Sequence, residues 1–102
     1  MKVKHIVMWQ FKEDIKEAQK DELKKNMKEN LTALVGIVPG LLKADFEVAP
    51  ISSSTHDMAL ITEFDTEESL KGYGIHEAHV KVANTYVRPY VCNRACLDYY
   101  EA

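Results

Sequence analysis

The stretch Val3-Lys4-His5-Ile6-Val7-Met8-Trp9-Gln10-Phe11 changes character at every second position. Period-two alternation is the mark of a strand. Val3, His5, Val7, Trp9 and Phe11 share one side, which is apolar and aromatic with a single histidine in it. Lys4, Ile6, Met8 and Gln10 share the other, and its isoleucine and methionine make that side worth covering too. Charges at Lys12-Glu13-Asp14 follow instead of a small-residue cleavage site, so the segment reads as a strand and not as a signal peptide.

Working outward, residues 14–35 have helical spacing. Leu23, Met27, Leu31 and Leu34 recur at intervals of four, four and three, with Ala33 and Val35 extending the stripe. Lys20, Lys24, Lys25 and Lys28 form the solvated side. Gly36 and Pro39-Gly40 stop this helix and turn the chain. Residues 41–49 alternate again, with Leu42, Ala44, Phe46 and Val48 on one face. After a polar loop, residues 58–64 put Met58, Leu60, Thr62 and Phe64 on one face. Asp65-Thr66-Glu67-Glu68 opens a short helix over 66–73 with a capping side chain and first-turn acids. Gly72 and Gly74 are expected to break it. A further helix starts near His76 or Glu77 and runs to Val87, ended by Arg88-Pro89. Residues 90–100 form the last strand.

The order is β-α-β-β-α-β, an α+β, ferredoxin-like arrangement with a four-stranded antiparallel sheet and its helices on one face. Residues 1–102 make one domain. No segment remains to cover the open sheet face. A second copy of the chain is the economical cover, giving a dimeric α/β barrel.

Composition narrows the function. Hydrophobic residues are 46% and charged residues 28%, ordinary for a globular protein. The formal net charge of -3 argues against a general nucleic-acid binder, and no apolar run is long enough to span a membrane. A cytoplasmic protein is expected. Cys92 and Cys96 have no second cysteine pair to build a four-ligand zinc site. On one strand face they would lie about 13 Å apart, beyond disulfide reach, and they read as small buried apolar residues. Arg94 and Asp98 fall on one face of that strand about 13 Å apart, so they are expected to pair across strands or across the dimer and not with each other.

Four histidines occur, and His76 and His79 follow Tyr73 within the stretch Gly72-Tyr73-Gly74-Ile75-His76-Glu77-Ala78-His79. His-x-x-His on a helix places two metal ligands side by side, but no third ligand is evident and no metal is expected. His76 suits a helix cap. His79 titrates near neutrality when unperturbed and suits removal of a proton beside a carbonyl. Tyr73 suits donation of a hydrogen bond to the enolate oxygen so formed. The alternative for Tyr73 is a plug at the end of the core with its hydroxyl at the surface.

The segments VKHIVMWQFK, VGIVPGL, DMALITEFDTEESLKGY, HEAHVKVANTYVRPYV and LDYYE, in that order, resemble the stress-responsive α/β-barrel (Dabb) domain family over nearly the whole chain. His76-Glu77 stands where the family usually has His-Pro. The resemblance implies a homodimer of ferredoxin-like subunits. A plant polyketide cyclase in the family closes a ring by intramolecular aldol condensation, and its site is similar to His5, Tyr73 and His79 here. Its first-helix tyrosine has no counterpart, Met27 or Lys28 standing near that position. By this resemblance His5, Tyr73 and His79 are the candidate catalytic residues. Val7, Trp9, Leu23, Met27, Leu60, Val82 and Tyr90 are the candidate apolar lining for a small-molecule ligand, with no cofactor. A non-catalytic binding dimer and a cofactor-free oxygenase are the alternatives, the latter on fold analogy alone.

Overall fold

The computed structural model describes all residues, 1–102. Strand β1 (Val3–Phe11) leads into helix α1 (Glu17–Thr32), then strands β2 (Leu41–Glu47) and β3 (Met58–Phe64). Helix α2 (Glu67–Ile75), helix α3 (Glu77–Val82) and a π-helical turn (Ala83–Val87) follow, and strand β4 (Val91–Tyr100) closes the chain. The sheet runs β2-β3-β1-β4 and all its pairings are antiparallel. This is the ferredoxin-like β-α-β-β-α-β arrangement.

Register assigns the two faces. Val3, His5, Val7 and Trp9 sit opposite Phe64, Thr62, Leu60 and Met58, and all eight are buried beneath the helices. Met27, Leu31 and Leu34 descend from above to meet them. The other face presents Ile6 against Ile61 and Leu97, and Met8 against Ala59 and Ala95. Nothing in the chain covers it; Met8 and Leu97 are exposed.

Several expectations are corrected in detail. Helix α1 begins at Glu17, where the Gln19 side chain accepts from the Lys16 N–H at 3.0 Å, and ends at Thr32 instead of residue 35. Beyond Thr32 the chain tightens into i→i+3 bonds, Leu34 to Leu31 and Val35 to Thr32, and Leu34 is buried from that turn. In β2 the register shifts between Leu41 and Lys43, so Leu41 enters the core while Leu42, assigned inward by alternation, lies exposed. Thr66 caps α2 as expected, accepting from the Ser69 N–H at 3.1 Å.

Gly72 and Gly74 do not break α2. They lie inside it, and the break falls at His76, which is extended (φ -65, ψ 133). A glycine costs helix stability without any steric bar to helical geometry. His76 instead ends one helix and caps the next, its Nδ1 accepting from the Ala78 N–H at 3.1 Å. The last helix does not stay α-helical to Val87: the Arg88 N–H reaches the Ala83 carbonyl at 2.8 Å, an i→i−5 bond. Arg88 keeps helical dihedrals although a proline follows.

Strand β4 carries a bulge opposite Trp9, with Asn93 at φ 51. Asn is among the few side chains that tolerate this region. The extra residue reverses the strand's alternation, so Cys92 pairs with Gln10 on the open face and Cys96 with Val7 on the helix face. The two thiols therefore lie on opposite faces, not one, and neither is buried: Cys92 is half-buried and Cys96 exposed.

Candidate active site

A cavity of about 370 Å³ opens between the sheet and the broken helical segment. Its floor is His5, Val7 and Trp9 from β1 with Leu60 from β3, and its walls include Leu31, Leu70, Tyr73, His79, Ala83 and Val87. The helical segment is broken at His76, between the two helices that wall the cavity. Helix α2 delivers Tyr73 from one side and α3 delivers His79 from the other, so the two rings face each other at 4.0 Å and 34°. His5 meets Tyr73 edge to face at 6.2 Å, and Phe64 backs Tyr73 at 5.1 Å.

Two polar atoms here are buried without a hydrogen bond of normal geometry, the Tyr73 hydroxyl and His79 Nδ1, although the Gly74 backbone lies close to the His79 ring. Buried donors and acceptors in proteins are nearly always paired, and an orphan costs about 1–3 kcal/mol. No other buried side-chain nitrogen or oxygen in the chain is left this way. Burial holds the Tyr73 phenol well above its ordinary range, so it is a proton donor at neutral pH. Burial also pushes the His79 imidazole below its ordinary 6.5; the Gly74 backbone opposes this, and the charges of Arg88, His5 and His76 add to it. His79 is thus a neutral acceptor at pH 7.

His5 is fixed from behind. Its Nδ1 pairs with the Asp98 carboxylate across β1 and β4. That leaves Nε2 as the nitrogen available to the cavity. Cys96 lies beside the pair, its sulfur 3.7 Å from His5 Nδ1 and 3.4 Å from Asp98 Oδ1. These three are the one group of metal-type donors in the chain, all within 4.8 Å of one another. Partial burial, then the adjoining Asp98 carboxylate, hold the Cys96 thiol above its ordinary value, so the trio stands as a hydrogen-bonded set around His5. His76 and His79 gather no third donor.

Of the residues expected from sequence, His5, Tyr73, His79, Val7, Trp9 and Leu60 all line this same cavity. Leu23, Met27, Val82 and Tyr90 do not. Met27 is wholly buried, and the other three pack against the core. Leu31 from α1 takes the place expected for Met27. Sequence reasoning missed Lys71, Arg88 and Arg94, which also line the cavity, and Asp98, which holds His5. The period of β4 gave a usable signal for Asp98, since it placed a carboxylate on a face expected to pair across strands. Arg88 was beyond reach, because only the π turn brings it round.

Residues 3–101 match the sequence profile of the stress responsive A/B barrel domain. The chain is 32% identical to olivetolic acid cyclase of Cannabis sativa over 91 residues, 84% of each chain. It superposes on a dimeric ferredoxin-like protein of unknown function from Bacteroides fragilis with a TM-score of 0.87 and 28% identity, covering 96% of this chain and 94% of that one. A Dabb family protein with a ferredoxin-like fold from Mesorhizobium loti gives a TM-score of 0.76 at 17% identity, covering 99% and 97%. No helix of the chain is long and apolar enough to cross a membrane.

Proposed function

The chain belongs to the stress responsive A/B barrel domain family, and from that premise we propose that it is a homodimer whose subunits each bind a small carbonyl compound and move a proton beside that carbonyl. The observation that carries this reading is the pair of orphaned polar atoms, Tyr73 Oη and His79 Nδ1, which converge with His5 on one cavity. A ligand oxygen and a ligand C–H are the partners they lack.

The chemistry follows from the two protonation states. Neutral His79 takes a proton from the carbon next to a ketone. The C–H electron pair moves into the enolate, whose oxygen accepts a hydrogen bond from Tyr73. In a substrate with a second carbonyl, the enolate carbon attacks it and forms a carbon–carbon bond. The alkoxide produced then recovers the proton from the His79 imidazolium. His5, held by Asp98, orients the substrate. The relative named olivetolic acid cyclase supports cyclisation as the reaction class.

The apolar band of Ile6, Met8, Ile61 and Leu97 on the uncovered sheet face supports pairing of two such faces, as does the dimeric Bacteroides relative. Two free thiols suit a reducing compartment, the cytoplasm.

The test is a thermal-shift screen with aromatic and polyketide-like ketones on the parent, His79→Ala and Tyr73→Phe. Stabilisation of the parent that shrinks in both variants, with deuterium exchange beside the ligand carbonyl, is expected. Equal shifts in all three sink the site. Binding without exchange leaves a non-catalytic binding dimer.

A further inference from the structure

The chain has only two arginines, Arg88 and Arg94, and both line this cavity. They come from separate elements, the end of the π turn and strand β4, and Lys71 of α2 is a third cation on the same lining. No carboxylate lines it, although acids outnumber bases 16 to 13 in the chain. Asp98, on the same strand as Arg94, is taken up by His5 Nδ1.

Neither arginine is in an ion pair; those in the chain use lysines and His5. Arg88 donates only to the neutral Asn84 amide oxygen, at 2.6 Å. Lys71 reaches Glu68 only at 4.0 Å, between two exposed side chains. The fold also works to put Arg88 here. In an α-helix it would lie about 140° round the axis from Ala83. The i→i−5 bond widens the turn and brings it back onto the face of Ala83 and Val87.

We propose that the cavity takes an anionic ligand, a ketone that carries a carboxylate, with the carboxylate held between Arg88 and Arg94 and the ketone at Tyr73 and His79. This rests on the carbonyl-site reading above and adds the charge of the substrate. A guanidinium offers paired donors that match a carboxylate's two oxygens. Val7, Trp9 and Leu60 supply an apolar floor for the body of the molecule.

Two probes of equal shape separate the claims, 4-acetylbenzoate and 4-acetylbenzamide, titrated by NMR at low and high salt. The benzoate binds at least about tenfold tighter at low salt, the worth of a charge-assisted hydrogen bond, and its advantage shrinks as salt rises. Arg88→Gln with Arg94→Gln removes that advantage by lowering the benzoate affinity far more than the amide affinity; both positions are exposed, so the fold tolerates the change. Tyr73→Phe weakens both probes alike. Equal affinity of the two probes for the parent, or a preference that survives the double substitution, overturns the anion proposal alone. An amide that binds Tyr73→Phe as well as the parent overturns the carbonyl site itself. Failure of both probes to bind overturns both.

Discussion

The two edges of the sheet have opposite fates. On β2 the helix-facing positions are Leu41, Ala44 and Phe46, and α1 lies along that strand. On β4 the corresponding positions are Arg94, Cys96, Asp98 and Tyr100, no helix lies along it, and none of its residues is buried. The β2 edge gains stability from apolar packing. The β4 edge leaves a gap under the broken helix, which Arg94 lines while Asp98 holds His5. One face of one sheet thus holds a core at one side and a cavity at the other, and the division follows the side-chain chemistry of the two edge strands.

The sharpest way to break this contrast is to cut each edge. Phe46 is 2% exposed and stacks near Trp9 at 6.4 Å. Phe46→Ala should cost about 3–5 kcal/mol, a large share of the roughly 5–15 kcal/mol a domain possesses. Cys96→Ala on the opposite edge should change stability by no more than about 0.5 kcal/mol. Urea unfolding of both variants decides it; similar losses would mean that the β4 edge is core after all.

A second cut separates catalysis from folding. His79→Gln removes the imidazole while keeping a polar side chain of similar reach. Deuterium exchange beside a bound ketone should fall by about 10²–10⁴-fold, while the urea midpoint stays within the range of a surface change. Tyr73→Phe comes next. Exchange should fall by about 10²–10³-fold, the loss of one oxyanion donor. Stability should rise, by about 1 kcal/mol, because the substitution deletes a buried hydroxyl that has no partner. For a domain of this size that is an upward shift in Tm of about 4–8 °C. A Tyr73→Phe variant that melts lower would show that the hydroxyl is already satisfied in the free protein.

Sequence reasoning reached the core edge more fully than the site edge, for physical reasons. The β3 stripe of Met58, Leu60, Thr62 and Phe64 follows a strict period of two and falls as expected. His5, Tyr73 and His79 were singled out by the family resemblance and by their side-chain chemistry, and the fold brings all three to the same cavity. The failures fall at every place where one residue is added to a regular element. The bulge at Asn93 sent the two cysteines to opposite faces. The shift after Leu41 exchanged Leu41 for Leu42, and the π turn swung Arg88 to the cavity. Each irregularity changes the phase of all later residues in its element, and composition carries almost no trace of a phase change. The break at His76 belongs with these: glycines marked the region, but the cap geometry chose the residue.

The smallest effect concerns protons. His79 has its folded pKa depressed below the ordinary 6.5 by burial. Above 6.5 both folded and unfolded chains carry the neutral imidazole, and the contribution of His79 to stability is fully present. As the pH falls below 6.5 the unfolded chain takes up a proton that the folded one refuses, so stability declines until the folded imidazole titrates as well. The same group sets the acid limb of proton abstraction, which should lie below pH 6.5. Urea unfolding at pH 7.5 and pH 5 should therefore show a loss that is smaller in His79→Gln than in the parent. On the β2 edge Phe46→Ala should lower stability equally at both pH values, since no titrating group is removed. If His79→Gln keeps the parent's full pH dependence, His79 is not the group that titrates, and the site edge loses the base on which its chemistry depends.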